Sequence, residues 1–158
     1  MSSADTKLGY ELEDELKAIF KELQETNPIF WHQFPDTKSA RNFIAAQPSD
    51  FLVGSPFAPM ALVEAKASEM KPSLAACAKA AIRPSQIGMH MKWHRAGYPS
   101  LFIFYCQADN VVELWEGSYV VSCISAGTRM KSTASDHLLA KCDYFDLKDM
   151  MFNHFCKA

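Results

Sequence analysis

A chain of 158 residues with 49% hydrophobic, 12% aromatic and 22% charged residues is sized for one hydrophobic core, and these proportions exclude intrinsic disorder and fibrous repeats. The formal net charge of −2 offers no overall positive excess for a polyanion, and no apolar run approaches the roughly 18–20 residues of a membrane span. Cys77, Cys106, Cys123, Cys142 and Cys156 are odd in number and lack C-x-x-C spacing, which points away from structural zinc and a disulfide framework and toward a reducing cytoplasm.

Met1 to Lys7 lacks the basic-then-apolar order of a signal peptide, in keeping with that compartment. Leu8, Leu12, Leu16, Ile19, Phe20 and Leu23 recur at helical spacing and predict an amphipathic helix from Asp5 to Gln24, stopped by Asn27-Pro28. Ile29 to Phe34 reads as a strand, and Pro35 to Pro48 as a polar connection with a short apolar patch at Phe43-Ile44. Asp50 to Val53 and Ala61 to Ala67 are the next two strands, and the turn material Pro56 to Pro59 permits a hairpin between them. Leu74 to Ile82 is alanine-rich and partly helical. Pro84 and Gly97 bracket a helix from Pro84 to Ala96. The unbroken apolar run Leu101 to Tyr105 predicts a buried central strand. Val111 to Trp115 and Tyr119 to Ile124 read as a strand pair around Glu116-Gly117-Ser118, and Asp146 to Cys156 as a terminal helix. With no repeat and no linker, residues 1–158 are expected to form one α/β domain.

Charge is unevenly spread along this order. Between Asp5 and Glu25 seven acids face three lysines, whereas Lys71 to Gln107 holds no acid but carries Lys71, Lys79, Arg83, Lys92 and Arg95, with His90 and His94 among them. Such separation builds a basic face that the total conceals; the same residues also fit an ordinary solvated surface. His90 and His94, at i and i+4, have zinc-compatible spacing but no third ligand at a matching position, so contacts to a DNA backbone or to the core suit them better.

Glu64-Ala65-Lys66 is the informative segment. Side chains alternate along a strand, so Glu64 and Lys66 share one face, and pairing with the preceding strand brings Asp50 beside Glu64. Two carboxylates on adjacent strands make a hard-oxygen site suited to Mg²⁺, with Mn²⁺ as a substitute, and a neighbouring lysine can orient or deprotonate a water. Alone, Glu64 and Lys66 also fit a surface ion pair, and Asp50 a turn residue. Their position argues otherwise: Glu64 interrupts Ala61-Leu62-Val63 and is followed by small Ala65 and Ala67, inside a strand where a charge needs a partner. Ser68 continues the same face and could meet a phosphate. Asp36 sits in a loop that either approaches this site or caps a turn.

Pro48-Ser49-Asp50 followed by Glu64-Ala65-Lys66 resembles the PD-(D/E)XK nuclease superfamily, with the aspartate one place further from the proline. Gly9-Tyr10-Glu11-Leu12-Glu13 is similar to the G-x-x-[FL]-E segment of Holliday-junction resolvases of the RecU and archaeal Hjc types, and Arg83-Pro84-Ser85-Gln86-Ile87 resembles the helix start that follows their ExK strand. The resemblance runs from Gly9 to about Trp115. It departs at His32 and Gln33, where many members carry a basic residue, and in the overall acidity. It implies a restriction-endonuclease-like mixed sheet flanked by helices, and a Mg²⁺-dependent DNA endonuclease acting on four-way junctions, often as a homodimer. In that reading Glu13, Asp50, Glu64 and the Ala65 carbonyl hold the metal. Lys66 positions the attacking water, and Gln86 supports Lys66 or that water. Ser68, Lys71, Lys79, Arg83, His90, Lys92 and Arg95 serve the DNA. A nuclease of ordinary duplex and a non-catalytic DNA-binding module of the same fold are the rival expectations.

Overall fold

The computed structural model describes residues 2–36, 47–131, 137–140 and 143–158. The first helix, α1 (Ser3–Thr26), opens on a capping box in which Ser2 and Asp5 satisfy each other's backbone N–H groups, and it buries Leu8, Leu12, Leu16, Ile19, Phe20 and Leu23. Three antiparallel strands follow, β1 (Phe30–Gln33), β2 (Phe51–Ser55) and β3 (Ala58–Ser68). Helices α2 (Leu74–Ala81) and α3 (Pro84–Arg95) then carry the chain over to β4 (Ser100–Cys106), which runs parallel to β3. Next come β5 (Val111–Glu116), α4 (Gly117–Ala126), β6 (His137–Ala140) and α5 (Tyr144–Phe155).

Among the described residues the sheet has six strands in the order of the chain, β1 to β6, and the parallel β3–β4 pair is its one crossover. This is the mixed sheet flanked by helices that the sequence predicts. Alternation along β4 explains its unbroken apolar run. Leu101 and Ile103 pack with Val63 and Ala65 against Leu12, Leu16 and Phe20 of α1, and against Leu147 and Met151 of α5. Phe102 and Phe104 face the other way, onto Leu74, Ala78 and Ile82 and onto Val120 and Val121 of α4. Both faces are covered, as a strand without polar alternation requires. No helix among the described residues is long and apolar enough to cross a membrane.

Two elements differ from the sequence reading. Tyr119–Ile124, expected as a strand, lies within α4. Gly117, Val120 and Val121 are buried at i, i+3 and i+4, a helical interval that valine content obscured in so short a run. Gly117 is required there, because a Cβ would stand 2.8 Å from the Ser100 carbonyl oxygen. Gly127 ends the helix in left-handed conformation at φ 67°. Strand β6 was not anticipated at all. The Phe43-Ile44 patch lies outside the described residues.

A second buried acid also escaped the sequence. Glu113 on β5 is 3% exposed, and its Oε2 accepts the Leu74 N–H at the start of α2 (3.0 Å) and the Trp115 indole N–H (2.6 Å). Its role is architectural: it ties the first turn of α2 to the sheet and meets the positive end of that helix. Glu113→Ala should strand both donors in the core at about 1–3 kcal/mol each. A fall in melting temperature of roughly 5–15 °C is expected, and calorimetry showing no change would refute this assignment.

Candidate active site

The site arises because β3 is longer than β2. Pairing between them ends at Phe51 opposite Val63, while β3 continues beside β4 as far as Ser68 opposite Cys106. Among the described residues no strand pairs with the β2-side edge of β3 from Glu64 onward, and a cleft of about 780 Å³ lies against it. Its walls include Glu13 and Lys17 of α1, Asp36 beyond β1, Ser49 and Asp50 before β2, Glu64 to Ala67, and Arg83 and Gln86 at the start of α3.

Asp50 stands where β2 would have supplied the next ladder bond. Its Oδ2 accepts the Ala65 N–H at 2.7 Å, which places it next to Glu64 as the strand register predicts. Glu64 is fully buried, and Lys66 Nζ stands 2.7 Å from its Oε1. The same oxygen accepts a hydrogen bond from Gln86 Nε2, and Oε2 accepts one from the Ser49 hydroxyl at 2.9 Å. A buried carboxylate survives only with such partners, and here a cation and two neutral donors surround it. Gln86 also accepts the Arg83 N–H at 3.0 Å through its own Oε1, closing the first turn of α3. It therefore holds Glu64, whereas the sequence reading had it supporting Lys66 or a water.

Electrostatics bind Glu13 into this group. Burial first, and then the Glu64 charge, push its carboxyl up to about 7. Burial, followed by Glu64 and Glu13, likewise holds the Asp50 carboxyl well above the usual carboxylate range. The described cleft walls contain Asp5, Glu13, Asp14, Asp36, Asp50 and Glu64 against Lys17, Lys66 and Arg83, six acids to three cations. Such an excess of carboxylate oxygen suits a hard divalent cation chemically. As the side chains stand, no three His, Cys, Asp or Glu residues among those described are drawn together into a metal cage, and Glu64 is engaged by Lys66, Ser49 and Gln86.

The expected DNA contacts divide. Lys71, Lys79, Arg83, Lys92 and Arg95 are all exposed, and of these Arg83 lines the cleft. Ser68 is buried at 4% exposure, and its hydroxyl accepts the Lys71 N–H at 3.1 Å, so it fastens the turn after β3 instead of facing a phosphate. His90 is wholly buried, stacked on Phe102 with ring centroids 4.6 Å apart, and burial lowers its pKa to about 4. It cannot touch a DNA backbone, and His94 points outward, which also dissolves the i, i+4 zinc pairing. Asp36 takes the Tyr10 hydroxyl at 2.7 Å on the cleft wall.

Ser49 is the site residue that sequence reasoning missed. Its position beside Asp50 and opposite Glu64 was visible, but a serine between Pro48 and Asp50 looks like turn chemistry until the register places its hydroxyl on Glu64. No family model and no curated protein matches this chain.

Proposed function

We propose that this protein is a metal-dependent DNA endonuclease that hydrolyses phosphodiester bonds, structure-selective for four-way junctions. The observation that carries the reading is the meeting of Glu13 from α1, Asp50 from the turn before β2, and Glu64 and Lys66 from β3 in one cleft. Glu13, Asp50, Glu64 and the Ala65 carbonyl would hold Mg²⁺ or Mn²⁺. Leu62 and Ser68 of β3 make their backbone bonds to the β4 side, so the alternating Ala65 turns its carbonyl toward the cleft. When bound, the cation would polarise the scissile phosphate and stabilise charge on the pentavalent transition state. Lys66, only 12% exposed, is held by Glu64 with its ammonium at the cleft wall, where it orients the attacking water. Gln86 and Ser49 fix the Glu64 carboxylate from both oxygens. Arg83 and Lys17 supply positive charge along the walls for the nucleic-acid backbone. The two-fold symmetry of such junctions favours action as a homodimer.

The test is cleavage of a labelled four-way junction beside its linear duplex arms. Mg²⁺ or Mn²⁺ should support cutting of the junction, EDTA should abolish it, and Ca²⁺ should permit binding without turnover. Equal cutting of the duplex arms would convert the assignment to a duplex nuclease. Full cleavage in EDTA would overturn the mechanism.

A further inference from the structure

One aromatic side chain on the cleft wall takes no part in the chemistry of the carboxylates. Tyr10 lines the cleft and is 40% exposed, although an aromatic ring gains by being covered. Its hydroxyl donates to Asp36 Oδ2 at 2.7 Å, which holds the ring against the wall. Tyr10, Glu13 and Lys17 stand at i, i+3 and i+7, so α1 presents a ring, a carboxylate and an ammonium on its cleft-lining face. The ring is one helical turn, about 4.5 Å along the axis, from Glu13. Gly9 lines the same cleft, and a Cβ there would meet no atom within 4 Å among the described residues. The cleft thus has room beside Tyr10. A phosphate is a poor occupant of this wall, because Glu13, Asp14 and Asp36 would repel it. A nucleobase is uncharged, offers a flat face to the ring and carries amino groups that carboxylates accept.

We propose that Tyr10 is a stacking platform for an unpaired base beside the cut phosphate, and that this contact selects branched DNA over continuous duplex. This rests on the nuclease reading and deepens it by assigning the residue that recognises the shape of the substrate. In a continuous duplex every base is paired and stacked, and turning one onto Tyr10 forfeits both interactions. At a branch point the stack is already interrupted, so a base reaches the ring at smaller cost. Lys17 and Arg83 line the same cleft and supply positive charge for the backbone that carries this base. Base stacking on an aromatic ring tolerates any sequence, so the preference it confers is for shape alone.

Tyr10→Ala tests this without endangering the fold, since the position is exposed and alanine is the better helix former. Binding is measured by fluorescence anisotropy in Ca²⁺ with a four-way junction, its linear duplex arms, and junctions carrying one abasic nucleotide stepped through the branch point. Tyr10→Ala should weaken junction binding about 10-fold, as for loss of one base–aromatic stack, with the loss confined to the junction. Tyr10→Phe and Tyr10→Trp keep a ring and should restore the affinity. One abasic position should weaken wild type by a similar factor and weaken Tyr10→Ala no further, since both changes remove the same contact. Wild-type junction affinity in Tyr10→Ala would overturn the assignment, as would an equal loss on the duplex arms. A loss in Tyr10→Phe as large as in Tyr10→Ala would assign the effect to the hydroxyl and its tie to Asp36 instead of the ring, and abasic penalties equal in both proteins would place the base elsewhere. Each of these results leaves the nuclease reading intact. A wild-type protein that neither binds nor cuts DNA with divalent cations would remove both.

Discussion

Asp50→Asn and Glu64→Gln should each lower Mg²⁺-dependent cleavage by about 10³-fold or more, because each removes an anionic oxygen from the group proposed to hold the cation. DNA affinity in Ca²⁺ should hold or rise, as one negative charge fewer faces the phosphates. The two variants are expected to part company in stability. Asp50 is ionised only against burial and the Glu64 charge, and asparagine can still accept the Ala65 N–H, so Asp50→Asn should raise stability by about 0.5–2 kcal/mol. Glu64→Gln breaks the buried pair with Lys66 and sets an amide against Gln86, so it should cost about 3 kcal/mol. Melting curves in EDTA beside gel-based cleavage rates measure both. Cutting at the wild-type rate by either variant would mean that the site lies elsewhere.

Glu13→Gln should impair cleavage severely with the fold intact, whereas Glu11→Gln and Asp14→Asn stay near wild type. Glu13 is half-buried in the cleft and feels the Glu64 charge. Glu11 is exposed on the other flank of α1, 3.8 Å from Lys7, and Asp14 is exposed at the cleft edge. The same residue sets a pH signature. In the unfolded chain Glu13 ionises near 4.5, but in the folded protein only near 7, so the folded form binds the proton more tightly. Metal-free stability should therefore fall as pH rises from about 4.5 to about 7 and level off above, and Glu13→Gln should flatten that fall. Equal, small effects on cleavage at all three positions would make Glu13 one more solvated acid.

Most of the fold was legible because its period is unambiguous: the leucine stripe of α1, the apolar run of β4 and the Pro84–Gly97 bracket of α3 each fit one element. The strand that carries Glu64 was legible for a different reason, since Glu64 stands among residues that water does not reach and a charge there demands an explanation. What failed were features that depend on partners distant in sequence. Val120 and Val121 suit a strand or a helix, and the helix appears only when Gly117, Val120 and Val121 are seen buried on one face, with Gly117 packed closely on Ser100. Ser68 and His90 have chemistry a phosphate would accept, but the alternation that carries Ser68 inward and the packing of His90 on Phe102 are tertiary facts. Ser49 and Glu113 act through hydrogen bonds spanning 15 and 39 residues, beyond the reach of any local pattern.

The step between β2 and β3 has a consequence for solubility. An uncovered strand edge is a template on which another chain can add a strand, and natural proteins guard such edges with charge. Here, among the described residues, the Asp50 and Asp5 side chains take the Ala65 and Glu69 N–H groups that an incoming strand would need. Side chains placed in this way would oppose the addition of a strand from another copy of the chain. Asp5→Asn combined with Asp50→Asn should increase self-association at high protein concentration, measurable by light scattering, even though the second substitution by itself is expected to stabilise each folded molecule.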